Sequence, residues 1–298
     1  MFAPPCENLR ILRCAREHRF GVSAWSRIIR TLPFDPEQCL SDKPWGTVWR
    51  VTADLPDGPA DLVMKVHAVR TPRDHVRSRL HLTRLRRQWR GAAKLSRSGF
   101  GVAKCRALLR GTRDGTCLDV LVMDAIEGRT LLDVLSGPPL APADERVLAT
   151  RVGTLVSDLW DAGLHSKDLK PSNLLCAPCP EGPRLIILDT DAVGRRPAHP
   201  LLPLVLEPTG LGVLPRRSML FRVAKAWAWN AWLRGPDRFA PGDEPGVGEH
   251  GRSRPMESRI ARRAWRELEA LVAAHGDATP RHDPRTNAAP LARHAAVG

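Results

Sequence analysis

The chain contains no tyrosine, and aromatic residues make up only 5% of it. Acids are also scarce, with 32 Asp and Glu against 46 Lys and Arg, a formal net charge of +14. A surplus of this size favours anionic partners (nucleotide, phosphorylated glycolipid, acidic membrane or nucleic acid) without choosing among them. No apolar run approaches the roughly 18 residues that cross a bilayer. The amino-terminal stretch is broken by Glu7, Arg10, Arg13, Arg16 and Glu17, so no secretory leader is expected. The seven cysteines are odd in number and irregularly spaced, which argues against a disulfide framework and for a reducing cytosol. Cys176 and Cys179 form one C-x-x-C, but no second pair at metal-ligand spacing accompanies them. Neither zinc-finger spacing nor an aromatic RNA-binding strand is present, which argues against nucleic acid. The expectation is a cytoplasmic protein, soluble or peripheral on an inner membrane surface.

What is present is a globular composition, 43% hydrophobic and 26% charged over 298 residues, enough for one large domain or two lobes. Residues 1–40 read as an irregular or short-helical lead-in. Residues 46–51 (GTVWRV) alternate as a half-buried strand, residues 54–59 (DLPDGP) as a turn, and residues 61–66 (DLVMKV) as a second strand, which makes a hairpin. Residues 74–97 read as one Arg-rich helix with an apolar face at Leu80, Leu82, Leu85, Trp89, Ala92, Ala93 and Leu95. Strand-like runs follow at 107–110 and 118–123, then a polar joint over 124–128. Helices are expected at 131–135 and 143–162, and a strand at 184–188. Residues 235–256 read as a loop, 255–275 as a final helix and 276–298 as a disordered tail. The layout is α+β in two lobes.

One string concentrates the chemistry: Gly163-Leu164-His165-Ser166-Lys167-Asp168-Leu169-Lys170-Pro171-Ser172-Asn173. It resembles the catalytic loop of the protein-kinase superfamily, H-R-D-L-x-x-x-x-N, with Asn173 five residues after Asp168. Downstream, residues 184–188 form an apolar strand ending at Asp189, where that superfamily carries a metal-binding Asp. Upstream, Val63-Met64-Lys65 resembles the strand that presents a Lys to nucleotide phosphates. The resemblance covers roughly residues 41–232. It implies a bilobal protein-kinase-like fold with an extension over 1–40, an N-lobe over 41–123, a C-lobe over 124–275 and the tail.

It also implies roles. Phosphoryl transfer asks a protein mainly for positioning and for neutralisation of phosphate charge. Asp168 would orient the acceptor hydroxyl and take its proton, and Lys170 would reach the transferring group. Asn173 and Asp189 are hard oxygen ligands suited to Mg²⁺, and Lys65 would meet the phosphates of ATP. Gly46 would end a nucleotide loop, where glycine lets backbone approach phosphate. Val48 would cover the base, and Met123, at the strand end before the joint, is a further nucleotide-contact candidate.

The departures are specific. Ser166 stands where the superfamily has His, with His165 one place earlier. The metal triplet is Asp189-Thr190-Asp191, two loop glycines are missing, and no A-P-E segment follows. The helix after Lys65 contains no Glu, leaving Gln88 as the nearest substitute. Leu188-Asp189-Thr190-Asp191 with Arg195, and Trp89-Arg90-Gly91 leading to Gly99, look like the bacterial lipopolysaccharide kinase family, which phosphorylates Kdo or heptose. That resemblance implies a glycolipid or glycan acceptor. A Ser/Thr protein kinase, suggested by Lys170-Pro171, and a catalytically inactive pseudokinase remain the alternatives.

Between Arg70 and Arg113 there are fourteen Lys and Arg and one acid, Asp74. This is either a surface for anionic headgroups or a solvated helix face. Residues 218–234, with Trp227, Trp229 and Trp232, read as a buried C-lobe helix or an interfacial one.

Overall fold

Aliphatic residues recur at alternate positions through residues 46–69, and this stretch folds as a long hairpin. The computed structural model describes residues 7–15, 25, 27, 29, 36–43, 46–55, 58–113, 115–194, 199–213, 216–234, 262–270 and 273. These divide into two compact units, one of Met1–Glu127 with Asp189–Ala192 and one of Gly128–Leu188 with Val193–Gly298.

In the first unit, β1 (Glu7–Cys14), β2 (Cys39–Lys43), β3 (Gly46–Leu55), β4 (Gly58–Val69), β5 (Cys105–Arg113) and β6 (Thr116–Asp124) form one antiparallel sheet. Its strand order is β1-β5-β6-β4-β3-β2. The sheet is apolar on both faces. Val51, Leu62, Met64, Val66, Leu109, Val120 and Val122 pack under Trp25 and Ile29. Leu108, Leu121 and Met123 pack on the opposite face with Leu85 and Trp89. Each such aliphatic side chain contributes about 1.5–3 kcal/mol through burial. On β4 the polar residues Lys65 and His67 share the second face, because successive side chains alternate.

Two expectations change here. The lead-in read as irregular contains β1, paired with β5. Register shifts between Glu7 and Arg10 and between Ile11 and Arg13 disturb the alternation, so Leu9 and Ile11 join one core and Leu12 the other. A bulged strand has no clean period of two to read. The single helix expected over 74–97 is two, α1 (Pro72–Arg79) and α2 (Arg84–Arg97). Thr71 and Asp74 form a capping box that starts α1. At its end His81 adopts φ 58°, with His81 N–H donating to the Ser78 carbonyl and Leu82 N–H to the Arg77 carbonyl. That is a Schellman stop made without glycine, so no glycine flagged it in the sequence.

The basic run of 70–113 is not one solvated face. Arg110 pairs with Asp119 at 2.7 Å in the sheet interior, Arg106 pairs with Asp124, and Arg84 and Arg87 bind acids described below.

In the second unit, β7 (Arg129–Thr130), β8 (Leu174–Ala177) and β9 (Arg184–Ile187) form a small antiparallel sheet. The helices are α3 (Leu131–Ser136), α4 (Pro142–Asp161), α5 (Leu202–Gly210) and α6 (Arg217–Arg234), and residues 262–270 are also helical. On α4 the buried Glu145 accepts hydrogen bonds from Ser218 at 3.0 Å and Arg222 at 2.9 Å of α6. Met219, Val223, Ala224, Trp227 and Ala228 of α6 are buried, so packing within the unit accounts for this Trp-rich stretch. Among the described residues no helix is long and apolar enough to cross a membrane. The residues read as loop 235–256 and tail 276–298, Pro56-Asp57 of the turn, Pro44-Trp45 of the nucleotide loop, and Arg195 lie outside the described residues.

Candidate functional site

The first unit brings together Lys65, Asp189 and Asp191 around the start of α2. Lys65 sits in β4, opposite Val48 of β3 and Leu121 of β6. Burial lowers its ammonium pKa, and the nearby Asp189 carboxylate is the main opposing influence. Burial would push the Asp189 carboxyl up, but Lys65, Arg84 and a backbone N–H from Asp191 outweigh it and hold the group below its ordinary value. Asp189 is therefore an anion at neutral pH.

Arg84 and Arg87, one helical turn apart on α2, both reach this acid pair. Arg84 donates to Asp189 at 2.8 Å and lies 3.3 Å from Asp191. Arg87 donates to Asp191 at 3.2 Å. Between the two acids, Thr190 is buried and its hydroxyl donates to the Gln88 carbonyl at 2.7 Å. One turn further along α2 stands Gly91. A Cβ there would lie 2.0 Å from the Thr190 carbonyl oxygen, so only glycine lets the acid segment lie this close to the helix.

Gln88, the substitute expected for the missing Glu, is buried and its side-chain amide donates to the Met123 sulfur at 3.7 Å. Met123 itself is buried in the sheet core. Gly46 pairs with His67, and a Cβ on it would lie 2.3 Å from the Val66 carbonyl oxygen. The sheet thus has its own steric need for glycine at this position.

The second unit brings together Asp168, Lys170 and Asn173. Leu164 and Leu169 are buried and anchor the loop on either side of Asp168. Asp168 N–H donates to the Ser166 hydroxyl at 3.3 Å, so the serine in place of the usual His braces the backbone under the aspartate. The His165 carbonyl accepts from Gly194 N–H at 2.7 Å, and its ring stacks edge-on to Trp160 at 4.3 Å. The Asn173 amide donates to the Asp168 carbonyl at 2.9 Å and lies 3.4 Å from its carboxylate. That leaves the Asn173 carbonyl oxygen as the atom for a metal.

Lys170 lies 3.9 Å from Asp168 and 3.4 Å from Glu207. Glu207, on α5, also accepts from Ser172 N–H at 2.8 Å and from its hydroxyl at 2.5 Å. These bonds fix the 3₁₀ turn Pro171–Asn173, and they orient Lys170 from the side away from Asp168. Leu188 N–H, immediately before Asp189, donates to the Asn173 carbonyl at 2.9 Å.

No protein-family model matches the chain, and no curated protein matches it. Among solved structures, the crystal structure of Rad53 1-466 in complex with AMP-PNP is similar at 13% sequence identity and a TM-score of 0.42. The match covers 80% of this chain and 53% of that one, so the chain spans about half the length of the protein it matches. The functional reading rests on the side chains already described.

Three groups escaped sequence reasoning: Arg84, Arg87 and Glu207. The only signal was a pair of arginines three apart on a helix that lacked glutamate. Glu207 lies 35 residues from Ser172 and belongs to no motif. Cysteine chemistry is not part of either cluster. Burial pushes the Cys105 thiol up to about 12 and the Cys176 thiol up to about 11, so both are protonated and unreactive at neutral pH.

Proposed function

We propose that the protein is a protein-kinase-like phosphotransferase that moves the γ-phosphoryl group of Mg-ATP to a hydroxyl. The observation that carries this reading is the loop at Asp168. Its carboxylate, one cation and one carboxamide are fixed relative to each other by the bonds from Asn173, Lys170 and Glu207.

The residues present suit a magnesium nucleotide. Asp189 is an anion with a largely buried carboxylate, Asn173 offers a carbonyl oxygen, and both are hard donors of the kind Mg²⁺ prefers. Lys65 is a desolvated cation whose strongest opposing neighbour is Asp189, as a group that binds phosphate beside a metal ligand should be. When bound, ATP supplies the phosphoryl group and Mg²⁺ neutralises its charge.

The protein's own residues do the rest. Asp168 accepts a hydrogen bond from the acceptor hydroxyl, aims its lone pair, and takes its proton as the oxygen attacks. Asn173 holds Asp168 from behind through the backbone. Lys170, tethered by Glu207, supplies positive charge on the acceptor side. Support for a single site comes from connectivity: Leu188 is hydrogen-bonded to Asn173, and Asp189 follows it by one peptide bond.

The acceptor we favour is a sugar hydroxyl of lipopolysaccharide core or a similar anionic glycan. It rests on the Leu-Asp-x-Asp sequence at 188–191 and the absence of an A-P-E segment, and a contact with membrane headgroups belongs to the same proposal. A second reading is a nucleotide-binding protein without catalysis. The Arg84–Asp189 bond favours it, because a guanidinium occupies the carboxylate that a metal needs.

Turnover of labelled ATP with Mg²⁺, in wild type and Asp168→Asn, separates the two. Loss of turnover on substitution, with nucleotide affinity retained, is the expected result. Turnover equal in both proteins would remove Asp168 from its role, and nucleotide binding without turnover would select the second reading. Core glycolipid and a generic protein substrate, compared as acceptors, then identify the acceptor class.

A further inference from the structure

We propose that a cleft at the junction of β4, α1 and α2 is a binding site for a phosphate-type oxyanion. It is distinct from the nucleotide residues and stands whether or not the chain transfers phosphate. The cleft has a volume of about 120 Å³ and is lined by His67, Val69, Asp74, Arg77, Thr83, Arg84 and Arg87. One water needs only roughly 10–15 Å³ measured in this way, so a tetrahedral phosphate has room.

The lining matches that ligand in three respects. Three guanidiniums from two helices face one acid, and guanidinium forks suit phosphate oxygens. Asp74, the acid, is bonded to the hydroxyl of Thr71 at 2.7 Å and to its backbone N–H at 3.2 Å, which ties it to the start of α1. Thr83 is the N-cap of the fourteen-residue α2 yet makes no side-chain cap, so it leaves the first-turn N–H groups without that partner where the helix dipole is positive.

The decisive observation is unmet hydrogen bonding. Thr83 is only 5% exposed, and its hydroxyl has no hydrogen-bond partner among the described residues. The Arg87 Nε is equally buried and equally without one. A native interior rarely leaves a hydroxyl and a guanidinium nitrogen unsatisfied in the same cleft. A bound oxyanion satisfies both at once, accepting from the Thr83 hydroxyl and from Arg87. Arg77, at the end of α1, lines the same cleft and supplies a third donor to the same position.

Calorimetric titration of the full chain, without nucleotide or magnesium, tests the site. The probes are orthophosphate and O-phosphoserine, with sodium chloride at matched ionic strength as the reference. Arg77→Gln and Thr83→Val remove one donor each, and the valine keeps the shape of threonine. Arg97→Gln, an exposed residue at the far end of α2, is the control.

Saturable binding of either probe is expected, weakened about tenfold by Arg77→Gln and several-fold by Thr83→Val, and unchanged by Arg97→Gln. Tighter binding of orthophosphate would name the free ion as ligand. Tighter binding of phosphoserine would name an esterified phosphate. If neither probe binds above the chloride reference, or if Arg97→Gln weakens binding as much as Arg77→Gln, the site does not exist as described. Thermal unfolding of each variant shows that it is folded before titration, so loss of binding is read only from folded protein.

Discussion

Replacing Asp119 with leucine should cost the first unit about 3–5 kcal/mol, and the number follows from burial. Asp119 sits in β6 opposite Arg110 of β5. The carboxylate is 1% exposed, the guanidinium 10%, and the two lie 2.7 Å apart. Removing the acid leaves a cation in the sheet interior with no solvent to replace its partner. That penalty is far larger than the roughly 0–1 kcal/mol typical of a surface pair. Against a total stability of about 5–15 kcal/mol, the variant should melt about 10 °C lower. Arg110→Met alone should be similarly harmful, because it strands the carboxylate. The double variant that combines Asp119→Leu with Arg110→Met should recover to within about 1 kcal/mol of wild type, since apolar replacement of a buried pair is often neutral. A double-mutant cycle followed by calorimetry measures the coupling. If each single variant costs under about 1 kcal/mol, the pair is solvated in solution and the reasoning fails.

Two further outcomes concern the candidate site. Gly91→Ala would normally stabilise a helix by about 0.5–1 kcal/mol; here its Cβ would meet the Thr190 carbonyl at 2.0 Å. We expect it to displace the Asp189–Asp191 segment and abolish magnesium-dependent nucleotide binding while α2 persists by circular dichroism. Unaltered binding would mean that the segment does not need α2. The Asp189 carboxyl is held below its ordinary value, so its contribution is fully present above the unfolded pKa of about 4. It is lost as pH falls through the lower folded value. Melting curves of wild type and Asp189→Asn between pH 3 and 7 should therefore lie apart at neutral pH and converge on acidification, and parallel curves would contradict the assignment.

The legible parts of this protein were those written locally. The β3–β4 hairpin, the β9 strand running into Asp189, and the loop from Asp168 to Asn173 depend on alternation, on short turns and on spacing within a dozen residues, all of which a sequence displays. The Schellman stop at His81 was hidden because histidine is rarely found at positive φ, and β1 was hidden because its bulges break the alternation.

Taken alone, the amino-acid sequence determined which residues could do chemistry and the order in which strands and helices appear, because hydrophobic period and motif spacing are properties of neighbours. Only the tertiary structure decided what surrounds them. Arg84 meets Asp189 across 105 positions of chain, Gly91 makes room for Thr190, and Glu207 steadies Lys170. The physical reason is that these contacts join residues distant in sequence at angstrom range. Charge, steric room and hydrogen-bond partnership at such positions exist only once the chain has folded.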